Sequence, residues 1–418
     1  MKVLIIYQYF QDKTAPGHSL TYELAQHLTS QGHQVTVVAG ETGYMSTHTN
    51  RDPWYRRLVR TDIDANIRII RTYSYSELHR SYLGRLLSFI TFSLTCPLGI
   101  LIAGRQDVAL ASSPPIFPAF TAWIVCRIKR IPFVFEVRDL WPASAVQMGL
   151  LKNKTLIAVT AWVEGLLYDK SNKIIALTEG IKNDICERGW TGEKVELVTC
   201  GVDPNVLYPD GTAGFQLRLR HDWTNKIVVL YFGALGEANN IPVILRTAKR
   251  LETNKELLFV LVGNGMKRAE TVRWLHDNNS SNVLLLPPVS KEQARDYINS
   301  ADICLVTLLN IPLFDGAIPT KLLDYMACAK PVLCGVKGEA QAIVEKANAG
   351  YTFDPDSDEQ LAALIVDLSG NPDRCAALGS NGKAFVERHF SADKMREQAE
   401  VVLTEAATLS RYHVSNGN

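Results

Sequence analysis

The run Phe314-Asp315-Gly316-Ala317-Ile318-Pro319-Thr320-Lys321-Leu322-Leu323-Asp324-Tyr325-Met326-Ala327 sets a lysine just inside the start of a helix and a carboxylate one turn further along. Pro319 suits the first turn of that helix, where an N–H is not needed. Free backbone N–H groups at a helix start, joined by Lys321, make a seat for phosphate. Asp324 can accept hydrogen bonds from neutral hydroxyls such as those of a ribose. Phosphate and ribose together point to a nucleotide. An ordinary buried helix with a solvated Lys and Asp fits the same residues, so on this run alone both readings stand.

Three further constellations have chemical potential. The first is the loop Gln11–Ser19 after the first apolar run, where Gly17 allows close backbone approach and His18 follows it. It is neither a P-loop nor the dinucleotide fingerprint, since G-x-x-x-x-G-K-[ST] and G-x-G-x-x-G are both missing there. A plain loop remains open. The second is Phe135-Glu136-Val137-Arg138-Asp139-Leu140-Trp141-Pro142, which places Arg138 and Asp139 at the end of a strand. Arg138 could hold a phosphate or carboxylate, with the neighbouring carboxylate orienting it or a substrate hydroxyl. A structural Arg–Asp pair closing the strand end is the other reading. The third is Tyr231-Phe232-Gly233-Ala234-Leu235-Gly236, where glycines after a strand would leave N–H groups for phosphate oxygens. Gly265, in Val262-Gly263-Asn264-Gly265, and Val289, in Pro287-Pro288-Val289-Ser290, could wall a base, although each also passes for turn chemistry. Hydrolytic patterns such as G-x-S-x-G and H-E-x-x-H are missing, and the nine His are scattered.

These residues need elements to hold them. Short β-branched runs alternate with helical stretches along the chain, the pattern of parallel sheets covered on both faces. Strands are expected at Val3–Tyr7, 35–38, Ile67–Arg71, Val108–Ser112, Phe133–Val137, Ile174–Leu177 and Glu196–Val198. After a linker at 201–204 and Tyr208–Gly214, the rhythm restarts at Lys226–Gly233. It continues through Leu257–Val262, Val283–Leu286, Ile303–Val306, Pro331–Cys334 and Tyr351–Phe353, before a helical tail from Ala384 to Leu409. The fold class is therefore α/β, with two Rossmann-like doubly wound domains facing a cleft. Open parallel sheets bind ligands beyond the carboxyl ends of their strands, so two in tandem would bring a donor and an acceptor together.

At 418 residues, with 47% hydrophobic and 21% charged residues, the chain has room for two well-filled cores. A net charge of +1 gives no hint of a polyanion, and no nucleic acid is expected. Basic residues nevertheless gather between positions 48 and 130, twelve against five acidic ones. The eight Cys show no C-x-x-C and read as buried hydrophobes in a reducing compartment. The chain opens without a signal peptide, Met1-Lys2 leading straight into a strand. Leu86 to Gly104 is uncharged, apolar and long enough to span a bilayer, but Pro97, Gly99 and recurrent Ser and Thr interrupt it. A buried or interfacial helix is expected there rather than a span.

Taken in order, these segments resemble the family-4 retaining glycosyltransferases of the two-Rossmann, type B fold. The branch they are most similar to adds N-acetylated amino sugars to bacterial polysaccharide, such as the fucosamine transferases of O-antigen synthesis. The resemblance rests on 14–19 with the following helix and 32–37, on Ser113-Pro114-Pro115 and Phe135–Pro142, on Gly201-Val202-Asp203, on Phe232–Glu237, and on Ile318–Pro331. It implies an acceptor domain at 1–203, a nucleotide-sugar domain at 204–383, and a C-terminal helix at 384–418 packing back on the first. By the same resemblance Val289 would border the base and Asp324 would take the ribose. Gly233, Ala234, Gly265, Thr320 and Lys321 would belong to the donor site, and the catalytic residues would be Lys321, Arg138, Asp139 and Asp315. Gly17 and His18 would close over the phosphates, while Arg138 and Asp139 would face the acceptor and the transferred sugar. The family's two Glu separated by seven residues become Gly316, with Asp315 beside it, and Asp324. The usual Arg and Lys after the Gly233 strand give way to Ala234 and Asn239-Asn240, and the usual His of the acceptor-side strand to Arg138.

The expected activity is retaining, metal-independent transfer of an N-acetylhexosamine or its 6-deoxy relative from a UDP-sugar to a lipid-linked glycan, with no cofactor. The expected place is the cytoplasmic face of the cell membrane, peripherally bound, with the oligomeric state open. A UDP-sugar 2-epimerase and a non-catalytic membrane scaffold keeping the fold are the alternatives.

Overall fold

A computed structural model describes residues 1–12, 15, 20–41, 53–76 and 82–415. The chain forms two compact units, with the main division after Thr199 and a return to the first unit at Lys394.

The first unit holds eight strands: β1 (Lys2–Ile6), β2 (Gln34–Ala39), β3 (Val59–Asp64), β4 (Ile67–Thr72), β5 (Val108–Ser113), β6 (Phe133–Val137), β7 (Lys173–Ala176) and β8 (Val195–Leu197). Their order is β3-β4-β2-β1-β5-β6-β7-β8, so the chain reverses direction across the sheet between β1 and β5. Strands such as β5 and β6 are buried along their whole length, as continuous apolar runs demand. Only β3 is antiparallel, pairing with β4. The turn between them uses Ala65 and Asn66 at positive φ, the geometry of a tight hairpin. The sequence reading has no strand there, because the middle of β3 is exposed and polar.

After α1 (Leu20–Ser30), the apolar stretch becomes α2 (Tyr82–Ile102), which packs on α3 (Ile116–Ile128) and on β4. Gly99 makes the close approach possible: a Cβ there would lie 2.8 Å from Val38 Cγ1 and 3.0 Å from Thr72 Cγ2. Phe92, Cys96 and Ile100 are buried, whereas Leu83, Ile90, Leu94 and Leu101 face outward. Among the described residues α2 is long and apolar enough to cross a membrane, and 44% of that stretch is buried in the protein.

The second unit holds β9 (Ile227–Phe232), β10 (Leu257–Val262), β11 (Val283–Leu286), β12 (Ile303–Thr307), β13 (Val332–Gly335) and β14 (Gly350–Thr352). All are parallel, in the order β11-β10-β9-β12-β13-β14, with the switch point between β9 and β12. Its core joins Val229, Tyr231, Phe259, Leu305 and Leu333 to helix residues such as Ile244 and Leu361.

Two expectations need correction. Residues 211–214 are not linker: they open the helix Gly211–His221, capped by the Asp210 side chain accepting from Ala213 N–H. The tail is not one helix from Ala384 onward. One helix runs Pro372–His389 and another Ala392–Ser415. The chain breaks between them because Val202 N–H donates to Phe390 O and Ala392 N–H donates to Val202 O, at 2.9 and 3.1 Å. Gly201 permits that contact, since a Cβ on it would sit 2.6 Å from Ala392 Cα. Beyond Lys394 the last helix lies in the first unit. There Glu400 accepts from His27 Nε2 and His33 Nε2, and Arg396 donates to Glu23.

Candidate functional site

In the second unit the predicted residues gather at the switch point between β9 and β12, where ligands of open parallel sheets bind. The helix Thr320–Ala327 starts with Pro319 in the capping place, and no side chain caps it. Thr320 is exposed at this start, and Lys321 follows. The Lys321 side chain runs back to the end of β9. Its Nζ donates to the Tyr231 hydroxyl at 2.6 Å and to Asn239 Oδ1 at 3.3 Å, and it lies 3.8 Å from the centre of the Tyr231 ring. The Tyr231 hydroxyl in turn donates to Ala234 O at 2.7 Å, which leaves its lone pairs to the ammonium. Asn239 is fixed through its backbone, whose carbonyl accepts from Thr307 Oγ1 at the end of β12.

Among the described residues no carboxylate forms an ion pair with Lys321. Desolvation pushes its pKa down from the usual lysine range to about 7, and the charge of Asp324 opposes that shift only in part. The ammonium is thus held directly by neutral groups, with the Asp324 charge acting on it from one turn along the helix.

Gly233 has φ +140° and stands directly against this lysine: a Cβ on it would lie 3.2 Å from Lys321 Cε and Nζ. The reading that Gly233 offers a free N–H is corrected here, because that N–H donates to Val262 O at 2.9 Å. Leu235 N–H is likewise committed to Asn264 O. Gly233 therefore supplies room rather than a donor. Gly265, at φ +157°, gives the same service, since a Cβ there would meet Leu235 O at 2.3 Å. Val289 is half-buried just before Ser290, which caps the helix Lys291–Ser300. Asp324 is half-buried one turn beyond Lys321, and Asp315 lies exposed in the short turn Pro312–Gly316. Asn240 has a structural role, donating to Pro355 O.

In the first unit Arg138 follows β6 at the carboxyl edge. Its Nε donates to Glu136 Oε2 at 2.7 Å, its Nη2 donates to Thr21 Oγ1 at 2.7 Å, and its guanidinium lies 4.6 Å from the Tyr7 ring centre. Ser112 Oγ also donates to Glu136 Oε2. The expected pairing of Arg138 with Asp139 does not occur. Residues i and i+2 share a face of an extended chain, so Glu136 is the carboxylate that Arg138 meets. Asp139 points instead to Ser144, whose hydroxyl donates to it at 2.9 Å. Burial raises the Asp139 carboxyl above the usual range, against the pull of that hydroxyl and of the Leu140 N–H. Gly17 and His18 lie outside the described residues.

Tyr231 and Glu136 stood inside quoted motifs without a role, and Asn239 entered only as the replacement for a basic residue; the structure brings Tyr231 and Asn239 to Lys321, and Glu136 to Arg138. A signal existed for Glu136, a charged residue inside an otherwise apolar strand. None existed for Tyr231, which reads as an ordinary core aromatic.

Comparison with known proteins agrees with the geometry. Residues 18–206 match the family described as Glycosyltransferase Family 4, and residues 217–385 match Glycosyl transferases group 1. The chain is 26% identical over 361 residues to the D-inositol 3-phosphate glycosyltransferase of Thermobispora bispora, covering 83% of this chain and 81% of that one. It is 23% identical over 391 residues to the putative colanic acid biosynthesis glycosyl transferase WcaI of Escherichia coli K12, covering 87% and 91%. Anabaena HepE, solved in complex with UDP and glucose, superposes with a TM-score of 0.73 at 17% identity, over 97% of this chain and 99% of that one. The two matches together take in most of the chain's length, and with the shared fold they support a glycosyltransferase of the two-Rossmann, family-4 type.

Proposed function

We propose that the protein is a retaining glycosyltransferase that moves an N-acetylhexosamine, or a 6-deoxy-N-acetylhexosamine, from a UDP-sugar to a lipid-linked glycan in bacterial surface polysaccharide synthesis. The observation that carries this reading is the Lys321 ammonium, held by neutral groups and set beside an uncapped helix start at a sheet switch point. That arrangement suits a leaving diphosphate. UDP as the nucleotide is supported by the complex of the HepE neighbour, and polysaccharide as the product by the colanic acid relative.

In the proposed reaction the bond from the anomeric carbon to the diphosphate oxygen breaks, and its electron pair leaves with UDP. The acceptor hydroxyl adds to the same face of the sugar, and its proton passes to the departing phosphate oxygen. Lys321 and the N–H groups at the head of the Thr320–Ala327 helix meet the charge that develops there. Asp324 takes the ribose, and Val289 and Gly265 border the base. No cofactor and no metal take part. The outward apolar side of α2, with Leu83, Leu94 and Leu101, rests on a membrane at the cytoplasmic face, and Arg105, Arg127 and Arg130 meet anionic lipid.

The test is UDP release from a panel of UDP-sugars, with and without a polyprenyl-diphosphate-linked acceptor, and the product's anomeric configuration read by NMR. Acceptor-dependent release with retention supports the proposal. Interconversion of the sugar without stoichiometric UDP release would favour a 2-epimerase. Failure to bind UDP at millimolar concentration would favour a scaffold.

A further inference from the structure

Lys321 is the cation at the candidate site of the second unit, yet among the described residues no hydrogen bond from its own helix fixes where its ammonium sits. A lysine side chain has four rotatable carbons, so its charge is placed only as well as its neighbours place it. Here the neighbours come from β9 and the loop after it. The Tyr231 ring lies under the ammonium, its hydroxyl accepts at 2.6 Å, and Asn239 Oδ1 accepts at 3.3 Å. Gly233 completes the seat by leaving space within 3.2 Å of Nζ. The charged groups on the surrounding elements are directed elsewhere or held apart. Glu237 pairs with Lys267 at 3.1 Å, Lys267 also pairs with Glu270, and Asp315 is exposed in its own turn. Asp324 stands one turn along the same helix, without an ion pair to Lys321.

We propose that Tyr231 and Asn239 are positioning residues: a neutral cradle that holds the Lys321 ammonium where the diphosphate of a nucleotide sugar docks, and so links capture of that diphosphate to the protonation of a single lysine. This rests on the glycosyl-transfer reading above and adds the device that aims its charge.

The chemistry follows from the cradle's neutrality. An ion-paired lysine would already be neutralised and would bring little to a phosphate. A lysine held by a hydroxyl, an amide oxygen and a ring face keeps its charge for the ligand. Its enclosure also makes that charge costly before the ligand arrives, consistent with a pKa near 7. A bound diphosphate favours the ammonium and raises that pKa again. Affinity should therefore be flat below pH 7, where the lysine is already protonated. Above pH 7 it should weaken by up to about tenfold per pH unit, because binding then has to take up a proton.

The probe is UDP-glucose, whose diphosphate is esterified at both ends and does not itself titrate near neutrality. Binding to the whole protein is measured by calorimetry between pH 5.5 and 9. Wild type should show the break near pH 7. Tyr231→Phe keeps the ring and loses the hydroxyl, so affinity should drop by roughly two- to tenfold and the break should move to lower pH. A tyrosine acting only through core packing would leave the break where it was. Lys321→Ala should cost about ten- to a hundredfold and abolish the break. Adding Asn239→Lys to Lys321→Ala returns an ammonium to the same spot from the loop, and should recover at least part of the loss.

The inference is overturned if wild type binds UDP-glucose with no break. It is equally overturned if Tyr231→Phe leaves both affinity and break unchanged, or if the folded double variant binds no better than Lys321→Ala. If wild type binds neither UDP-glucose nor UDP, the glycosyl-transfer reading itself fails and takes this inference with it.

Discussion

Arg138 and Lys321 stand at comparable places, each at the carboxyl edge of a parallel sheet beside its topological switch, and the protein treats them in opposite ways. Arg138 donates to Glu136, a carboxylate buried to 8% exposure, and to the Thr21 hydroxyl. Among the described residues Lys321 directly meets a phenol, an amide oxygen and a ring, and no carboxylate pairs with it. A matched cation holds its surroundings in place, whereas an unmatched one is kept for something that arrives. On the proposed glycosyl-transfer reading, charge stabilisation at the leaving group falls to the second sheet. The first sheet offers a prebuilt polar surface whose charge is already balanced.

The largest effect that would sharpen this contrast is expected from Lys321→Met. Loss of a preorganised donor to a leaving oxyanion costs about a hundred- to a thousandfold in kcat. The melting temperature should stay near that of wild type, since no ion pair is lost. Steady-state kinetics beside a thermal melt checks both. A turnover within threefold of wild type would break the contrast at its stronger end.

Arg138→Met is expected to behave in the reverse manner. It leaves Glu136 buried with the Ser112 hydroxyl as its remaining donor among the described residues, and removing one member of a buried pair costs roughly 3–5 kcal/mol, less here because Arg138 itself is partly exposed. Urea unfolding should show a destabilisation of about 2–3 kcal/mol. Arg138→Met/Glu136→Gln should recover part of it, because the orphaned charge is gone. A stable single variant with a large fall in turnover would mean that Arg138 acts on substrate and that the two edges are alike.

The outer faces sharpen the contrast in another way. Leu94 and Leu101 of α2 are 71% and 57% exposed, while Phe92 and Ile100 of the same helix are fully buried. Leu94→Ser with Leu101→Ser should reduce co-sedimentation with anionic vesicles several-fold, at about 1–2 kcal/mol for the apolar surface no longer buried in lipid. Binding of UDP-glucose in the second unit should not change. Equal sedimentation of variant and wild type would remove the membrane from the picture.

How much of this was legible from sequence follows from what each feature depends on. Alternating apolar runs located every strand but β3, because burial on both faces writes itself as composition. The exception is an exposed strand fixed by backbone pairing to β4, which leaves no apolar trace. The break between the last two helices depends on a contact with Val202, nearly two hundred residues away, so helix propensity runs across it unmarked. At the site, Lys321 was visible through its place after Pro319. The cradle was not, because Tyr231 and Lys321 meet only once β9 and β12 lie side by side. Arg138 was visible and its partner was misassigned: the eye takes the adjacent carboxylate, whereas the extended chain presents the one two residues back.

The smallest expected effect concerns that misassigned carboxylate. Burial raises the folded-state pKa of Asp139, while one hydroxyl, one N–H and the charge of Arg85 stabilise its anion only partly. A carboxyl whose pKa is higher folded than unfolded favours the folded state in its protonated form. Its contribution is therefore fully favourable below the unfolded value, about 3.9, and is lost as pH rises through the folded pKa. Asn has the same shape, can still accept from Ser144, and never pays for burying a charge. Asp139→Asn should accordingly melt higher than wild type at pH 7, with the advantage shrinking as pH falls towards 4. Melts across that range decide it. If Asp139→Asn melts lower than wild type at pH 7, the carboxylate is stabilised by a positive partner after all. Arg85, the cation already acting on it from α2, is then the one to test, and the first edge would balance two charges rather than one.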